Sequence, residues 1–396
     1  VSGAAATAAA TEVAAKLARL RALLAERGWP GVVLTHPGSV AWLTDGLEDP
    51  IERGAPAGLA WVLVTPARAT VVTTNVELPR LAAEWDLDAL GLDAVTAEWF
   101  APDGLTRAAE RAAAPATRER LAADGHPDFG VDAADALTAL RLTLTAAEQD
   151  RLRALARDTA RALESAVAAW RPGDRDLDLS AAIASALEAD GIFPACLLVG
   201  GDDRVERFRH PVAIGAPMRR HAMAVVVGAR HGLHVALTRF ASATTPSAGL
   251  AAAHAAAHRV EAGILAACTP GTTYGEVLAC AREEYVAAGA PDAWREHYQG
   301  GPVGYRQREF EIAPGQDDGV WAATPVAVGH AVAFNPSVAG GGKAEDTFLV
   351  GPDGLQWLTD TGAWPVAPPA PGLPPRPQIL DLSNPEMLYD NPGRRV

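Results

Sequence analysis

The sequence predicts two domains in series. An α/β domain covers residues 1–142, and an α+β domain with a curved antiparallel sheet covers 143–365. A Pro-rich C-terminal extension occupies 366–396. Three observations carry this reading. Helical and strand patterns alternate over the first 140 or so residues. Beyond Thr145, long Ala/Leu helices precede a valine-rich pair of strands broken at a glycine. Past residue 300, strand-like pieces follow one another, among them VGYRQREFEI, AVAFNPSV and EDTFLV.

The chain is long enough for two cores: it has 396 residues, 49% of them hydrophobic. Aromatics make up only 6%, so those cores rest on Ala, Leu and Val. The formal net charge of -14 argues against a broad nucleic-acid grip, which needs clustered Lys and Arg. The N-terminal VSGAAATAAATEVAAK has no basic stretch followed by an apolar core, so a signal peptide is not expected. No window offers a long uncharged apolar run; residues 221–238 carry histidines and an arginine. A cytoplasmic protein without a membrane partner follows. Cys196, Cys268 and Cys280 form no paired metal spacing and read as reduced, structural thiols.

In the first domain, EVAAKLARLRALLAER at 12–27 repeats apolar positions at helical spacing, and Gly28 and Pro30 end it. VVLTHP, LAWVLVT and ATVVTT read as strands, and helices are expected near 75–84, over 106–122 and in VDAADALTALR. In the second, Thr145 and Glu148 stand at capping-box spacing before a helix that Pro172 and Gly173 stop. LDLSAAIASALEAD is the next helix, and AMAVVVGARHGLHVALTRF reads as two strands around a glycine turn. Helices at 248–268 and in PGTTYGEVLACAREEYVAAG follow. The stretch WPVAPPAPGLPPRPQ is read as extended chain lying over the surface.

The residues with chemistry lie in the second domain. His210 in RFRHPVAI is a candidate proton shuttle, since imidazole both takes and gives a proton near neutral pH. Arg308 offers a fixed planar cation for an anion, and with Arg204, Arg207, Arg209 and Arg239 it suggests a cationic pocket in an acidic chain. If 303–312 is a strand, Glu309 and Glu311 share a face. Asn335 has an amide for a substrate carbonyl or a turn, and His297 is a candidate cavity residue. His254 and His258 share a helix face and would need a further ligand to hold a metal. His231 or His234 with Glu345 is another metal option, while the plain reading makes them turn or strand residues. Gly340 to Gly342 lack Walker spacing and read as a turn.

Several segments together resemble the creatinase/aminopeptidase P/prolidase family, peptidase family M24, with its pita-bread fold. They are SVAWLTDG at 39–46, HP at 210–211, LTR at 237–239, GGPVGY at 300–305 and AFNPSVAGGGKAEDTFLVGPDGLQWLT at 333–359. The resemblance implies a creatinase-like N-terminal domain and a catalytic C-terminal one. In metal-dependent members two aspartates, a histidine and two glutamates hold two metal ions. Carried onto this chain, those positions hold Val225, Ala236, Gly301, Asn335 and Glu345, so only the last keeps a carboxylate. No metal and no other cofactor is therefore expected. Where family peptidases often carry a second histidine, Arg308 precedes Glu309.

Metal-free relatives such as creatinase use a histidine at the position of His210. The resemblance thus implies a metal-independent hydrolase acting on a C–N bond of a small, carboxylated metabolite. His210, Glu309 and Glu345 are its catalytic candidates. Arg308, Asn335, His297, Arg239 and Arg53 are its substrate-binding candidates. Arg53 and Glu52 enter because that region reaches the partner's site in creatinase-like dimers, which implies a homodimer. The alternatives left open are an inactive homologue that binds a small molecule or peptide, and a specialised biosynthetic enzyme.

Overall fold

The computed structural model describes residues 3–51, 53–311, 319–368, 373 and 375–383. The chain separates into two compact units, Val1–Arg141 and Leu142–Val396.

The first unit runs α1 (Gly3–Arg27), β1 (Val32–Leu34), α2 (Pro37–Leu43), β2 (Trp61–Val64), β3 (Ala69–Thr74), α3 (Leu78–Glu84) and α4 (Leu87–Leu90). It continues with β4 (Asp93–Ala97), α5 (Gly104–Ala113), β5 (Ala122–Ala123), β6 (Val131–Asp132) and α6 (Ala134–Arg141). Its strands form one mixed sheet in the order β4-β3-β2-β1-β5-β6. β1, β2 and β3 are buried throughout, so they read as unbroken apolar runs and not as alternating ones. α5 is shorter than the helix expected over 106–122, because residues 114–121 turn back toward β5.

The second unit opens with α7 (Ala146–Ala169) and α8 (Asp176–Ala189), then β7 (Phe193–Gly201), α9 (Asp203–Arg207), β8 (His221–Arg230) and β9 (Leu233–Ser242). α10 (Ala248–Ala267) and α11 (Tyr274–Ala287) precede β10 (Gly300–Val303), β11 (Ala331–Phe334), β12 (Ser337–Val338), β13 (Gly342–Lys343), β14 (Asp346–Gly351) and β15 (Gly354–Trp357). β16 (Val366–Ala367), β17 (Arg376–Pro377) and β18 (Leu380–Asp381) close it.

Thr145 and Glu148 do form a capping box on α7. β8 and β9 are joined at His231 and Gly232, both with positive φ (55° and 74°), the geometry of a two-residue hairpin turn. His231 is thus a turn residue. α7 and α8 pack on the sheet β18-β9-β8-β7. α10 and α11 share an apolar core with the antiparallel sheet β10-β11-β14-β15, including Ile264, Tyr285, Val332 and Phe348.

Two expectations are corrected. Residues 304–310 are bends, not a continuation of β10, so the strand argument for Glu309 and Glu311 does not hold. The C-terminal segment does more than cover the surface. β18 adds to β9 as a parallel strand, and Arg376 is buried against Glu261 at 2.6 Å and Asp346 at 2.8 Å. Residues 384–396, including Tyr389, lie outside the described residues.

Candidate active site

A half-open cavity of about 140 Å³ lies in the second unit. Its floor is apolar. A bulge in β7 between Pro194 and Cys196 sets the register that turns Cys196 and Leu198 toward the cavity, opposite Val225 and Val227 of β8. Its walls are polar. His210 comes from the loop after α9, and Tyr298 from the chain entering β10. Gln307, Arg308 and Glu311 come from the bend after β10, and Asn335 follows β11. Lys343 ends β13, and Glu345 lies just before β14.

Three basic side chains form a hydrogen-bonded line at one wall. His210 Nε2 and His297 Nε2 are 3.0 Å apart, and Lys343 Nζ is 2.9 Å from the same His297 nitrogen. His297 Nδ1 meets the Tyr298 carbonyl, which only accepts, so Nδ1 carries the proton and Nε2 is left as acceptor. His210 then donates its Nε2–H and keeps Nδ1 as its basic atom.

Burial, with the Lys343 charge beside it, lowers the His297 pKa to about 2 and moves that of His210 down as well. Both rings are neutral at pH 7. Burial also lowers the Lys343 pKa to about 8, the charge of Glu345 opposing the shift and Arg308 adding to it.

An ion pair forms the other wall. Arg308 donates from NH2 to Glu345 Oε1 at 2.8 Å and from NH1 to the Gln307 carbonyl at 2.7 Å. Thr238 Oγ1 donates to the second Glu345 oxygen at 3.2 Å. Arg308 Nε is buried without an acceptor, 3.9 Å from Glu311. Burial raises the Glu311 pKa, with Arg308 opposing. Between the walls, Asn335 Oδ1 is buried and has no hydrogen-bond partner among the described residues. An orphaned buried polar atom costs about 1–3 kcal/mol, which a ligand or water in the cavity would remove.

The structure therefore gathers His210, Arg308, Asn335 and Glu345 around one cavity, with His297 one hydrogen bond behind. It does not bring Glu309 or Arg239 to it. Glu309 Oε1 accepts the Tyr305 backbone N–H at 2.8 Å and holds the bend that carries Arg308. On β9, alternation sends Thr238 toward Glu345 and Arg239 to the opposite face. There Arg239 is fully buried, paired with Glu164 at 2.8 Å and Asp346 at 2.9 Å, and donating to the Thr359 carbonyl. Arg53 lies on an exposed turn of the first unit, and Glu52 lies outside the described residues. The arginines before His210 do not gather here either: Arg207 and Arg209 line a neighbouring cavity of about 160 Å³, and Arg209 is paired with Glu296 at 2.6 Å.

Sequence reasoning took Lys343 as a structural partner of Glu345, Cys196 as a structural thiol and Glu311 as a neighbour at the rim. Lys343 stands two residues before Glu345, so extended backbone there puts both on one face. Cys196 is half-buried at the cavity floor, and burial raises its pKa, so it is a thiol and not a thiolate. Nothing in the sequence marks the bulge that turns it inward.

The cavity does not suit a pair of divalent ions. Val225 and Ala236 offer no lone pair, and Gly301 has no side chain. Lys343 and Arg308 place two cationic groups beside the carboxylates Glu345 and Glu311. Among the described residues no group of three or more His, Cys, Asp and Glu side chains is placed to hold a metal. His254 and His258 meet at 3.0 Å through their Nε2 atoms on α10 and line a separate small pocket on the other side of Lys343 and Glu345. His234 Nδ1 bonds the Gly304 carbonyl at 3.2 Å.

Comparison with known proteins agrees with this fold. The profile of metallopeptidase family M24 matches residues 146–352. The dipeptidase PepE from Mycobacterium ulcerans superposes with a TM-score of 0.74 at 22% identity, covering 94% of this chain and 98% of its own. The prolidase from Pyrococcus horikoshii OT3 gives 0.71 at 16%, covering 87% and 98%. The Xaa-Pro dipeptidase from Bacillus anthracis gives 0.69 at 19%, covering 93% and 100%. No curated protein matches the chain. Among the described residues no helix is long and apolar enough to cross a membrane.

Proposed function

The chain belongs to metallopeptidase family M24, and from that premise we propose that it is a hydrolase of the pita-bread scaffold working without the family's metals. The proposed substrate is a small, carboxylated metabolite, cleaved at a C–N bond. The observation that supports this most is the line His210–His297–Lys343 at the cavity wall. A neutral imidazole lines the cavity, backed by a second neutral imidazole and the Lys343 ammonium. That arrangement takes a proton from an attacking water and returns it to the leaving nitrogen. Arg308 and Asn335 would hold the substrate's carboxylate or carbonyl, and Glu345 would keep the Arg308 fork in place.

The size of the cavity bears on the substrate. A cavity of about 150 Å³ holds a benzene-sized molecule. A whole dipeptide would therefore not be enclosed here, though the open side permits a projecting group. We extend the proposal to a cytoplasmic homodimer in which Arg53 of one subunit completes the cavity of the other.

The test is a panel of small carboxylated amides, ureas and guanidines, with amine release as the readout. Turnover is expected to survive chelators and to fall about 10²-fold or more in His210→Ala, the contribution of a positioned proton-transfer group. Turnover that needs an added transition metal would overturn the reading. A second reading, binding without turnover, is favoured by the Arg308–Glu345 pair, which already satisfies both charges. Saturable binding of a panel member with no turnover, unaffected by His210→Ala, would establish it.

A further inference from the structure

The chain contains 34 basic Lys and Arg residues, and only two of them, Lys16 and Lys343, are lysines. Both are buried, with 1% and 3% of their surface exposed. Their settings differ. Lys16 is paired with Glu12 at 2.6 Å, donates to the Trp42 carbonyl and lies over the Trp42 ring. It is a neutralised structural cation. Lys343 has one hydrogen bond, to the neutral ring of His297, and among the described residues no carboxylate within ion-pair distance. Glu345, two residues away, is taken by Arg308 and Thr238.

An ion pair alone does not explain a lysine here. Arginine serves that purpose at nearly every other basic position of this chain, and it pairs carboxylates better. Amine and guanidinium differ in one chemical respect that matters in a cavity: an amine loses its proton and becomes a nucleophile.

We infer that Lys343 is a covalent carbonyl-binding residue that condenses with a small 2-oxo acid in the cavity to form an imine. The ammonium proton leaves to water in the half-open cavity, and neutral His297 Nε2, at 2.9 Å, accepts a hydrogen bond from the amine and orients it. The Nζ lone pair then attacks the carbonyl carbon, and the carbonyl electrons move to oxygen, which is protonated. The nitrogen of the resulting carbinolamine gives up a proton, the hydroxyl takes one, and water leaves as C=N forms. Amine plus carbonyl compound thus gives imine plus water, with no oxidant or reductant. Leu198, Val225 and Val227 keep the reacting end away from bulk water. The buried Nε–H of Arg308, which lacks an acceptor, would hold the substrate carboxylate. The cavity of about 140 Å³ fits a compound of pyruvate's size. This activity goes beyond the proposed hydrolysis and is read out by adduct mass, so either can fail without the other.

The experiment treats the full chain with pyruvate and cyanoborohydride and maps adducts by peptide mass. One reduced adduct is expected, on the peptide holding Lys343 and absent from that holding Lys16. It should disappear in Lys343→Met and in Lys343→Arg. Lys343→Met is expected to melt no lower than the parent, because it removes an amine without a counter-ion. Arg308→Leu should cut pyruvate adducts by about tenfold, the value of one charge-assisted hydrogen bond, and leave adducts of the neutral probe propanal unchanged. Two outcomes would overturn the inference. One is no adduct on the folded chain when the denatured chain labels both lysines. The other is equal labelling of Lys16, Lys343 and the terminal amine in the folded chain.

Discussion

At the scale of single residues, Gly301 shows that the altered site cannot be reverted by one substitution. It stands where the family resemblance places a metal-binding histidine. Its φ is +154°, and a Cβ built there would come within 2.8 Å of the Phe310 carbonyl oxygen. The backbone has settled into a path that a side chain obstructs. Gly301→His is therefore expected to lower the melting temperature by several degrees and to bind no transition metal stoichiometrically, as checked by thermal unfolding and metal analysis. Recovery of a bound metal with an unchanged melting point would contradict this. Asn335 tests the opposite trade. Its buried Oδ1 has no partner among the described residues, so Asn335→Leu is expected to leave stability unchanged or raise it by up to about 1–3 kcal/mol. The same change should abolish ligand binding. A loss of both together would make Asn335 a structural residue.

At the scale of elements, the C-terminal strands illustrate what sequence could and could not reveal. The cap of α7, and the hairpin between β8 and β9, were legible because their signals are local: a Thr and a Glu three apart, or a glycine between apolar runs. The docking of 376–381 was not, because proline content marks extended chain without saying what it lies against. The partners are distant in sequence: Arg376 reaches Glu261 of α10 and Asp346 of β14, which in turn binds Arg239 of β9. The bend at 304–310 was misread for a related reason. Its alternation imitates a strand, while the Glu309 side chain bonding back to Tyr305 N–H closes it as a loop. Arg376→Met leaves Glu261 buried without its main cation. It is expected to cost about 3–5 kcal/mol, measured by denaturant unfolding, with a larger loss than truncating the exposed Arg295. A cost below that of Arg295→Ala would mean the tail docks by its strand pairing alone.

At the scale of the whole molecule, the network of buried uncharged histidines sets how stability responds to acid. His297, His254 and His330 have pKa values lowered to about 2, about 3 and about 4, in each case mainly by burial. In the unfolded chain each would titrate near 6.5. The unfolded state therefore binds more protons than the folded one below about pH 6.5, and stability falls as pH falls. The contribution of each ring is fully present above the unfolded value and is lost as pH drops through the window down to its folded value. Between about pH 6.5 and 5 this loss is carried by histidines, and the buried carboxylates Asp49, Glu164 and Glu311, whose values burial raises, oppose part of it by taking up protons in the folded state. Melting temperature is thus expected to drop steadily from pH 7 to pH 5. His254→Leu should reduce the slope by about one proton's worth while leaving the hydrogen bonds of Lys343 and Glu345 intact, because His254 packs against His258 and Phe240 and takes part in neither. His297→Leu should reduce the slope similarly but also remove the hydrogen-bond acceptor of Lys343. An unchanged slope in both variants would mean that these rings are reached by water and protonated in the folded chain, and the neutral relay proposed at the cavity would fall with it.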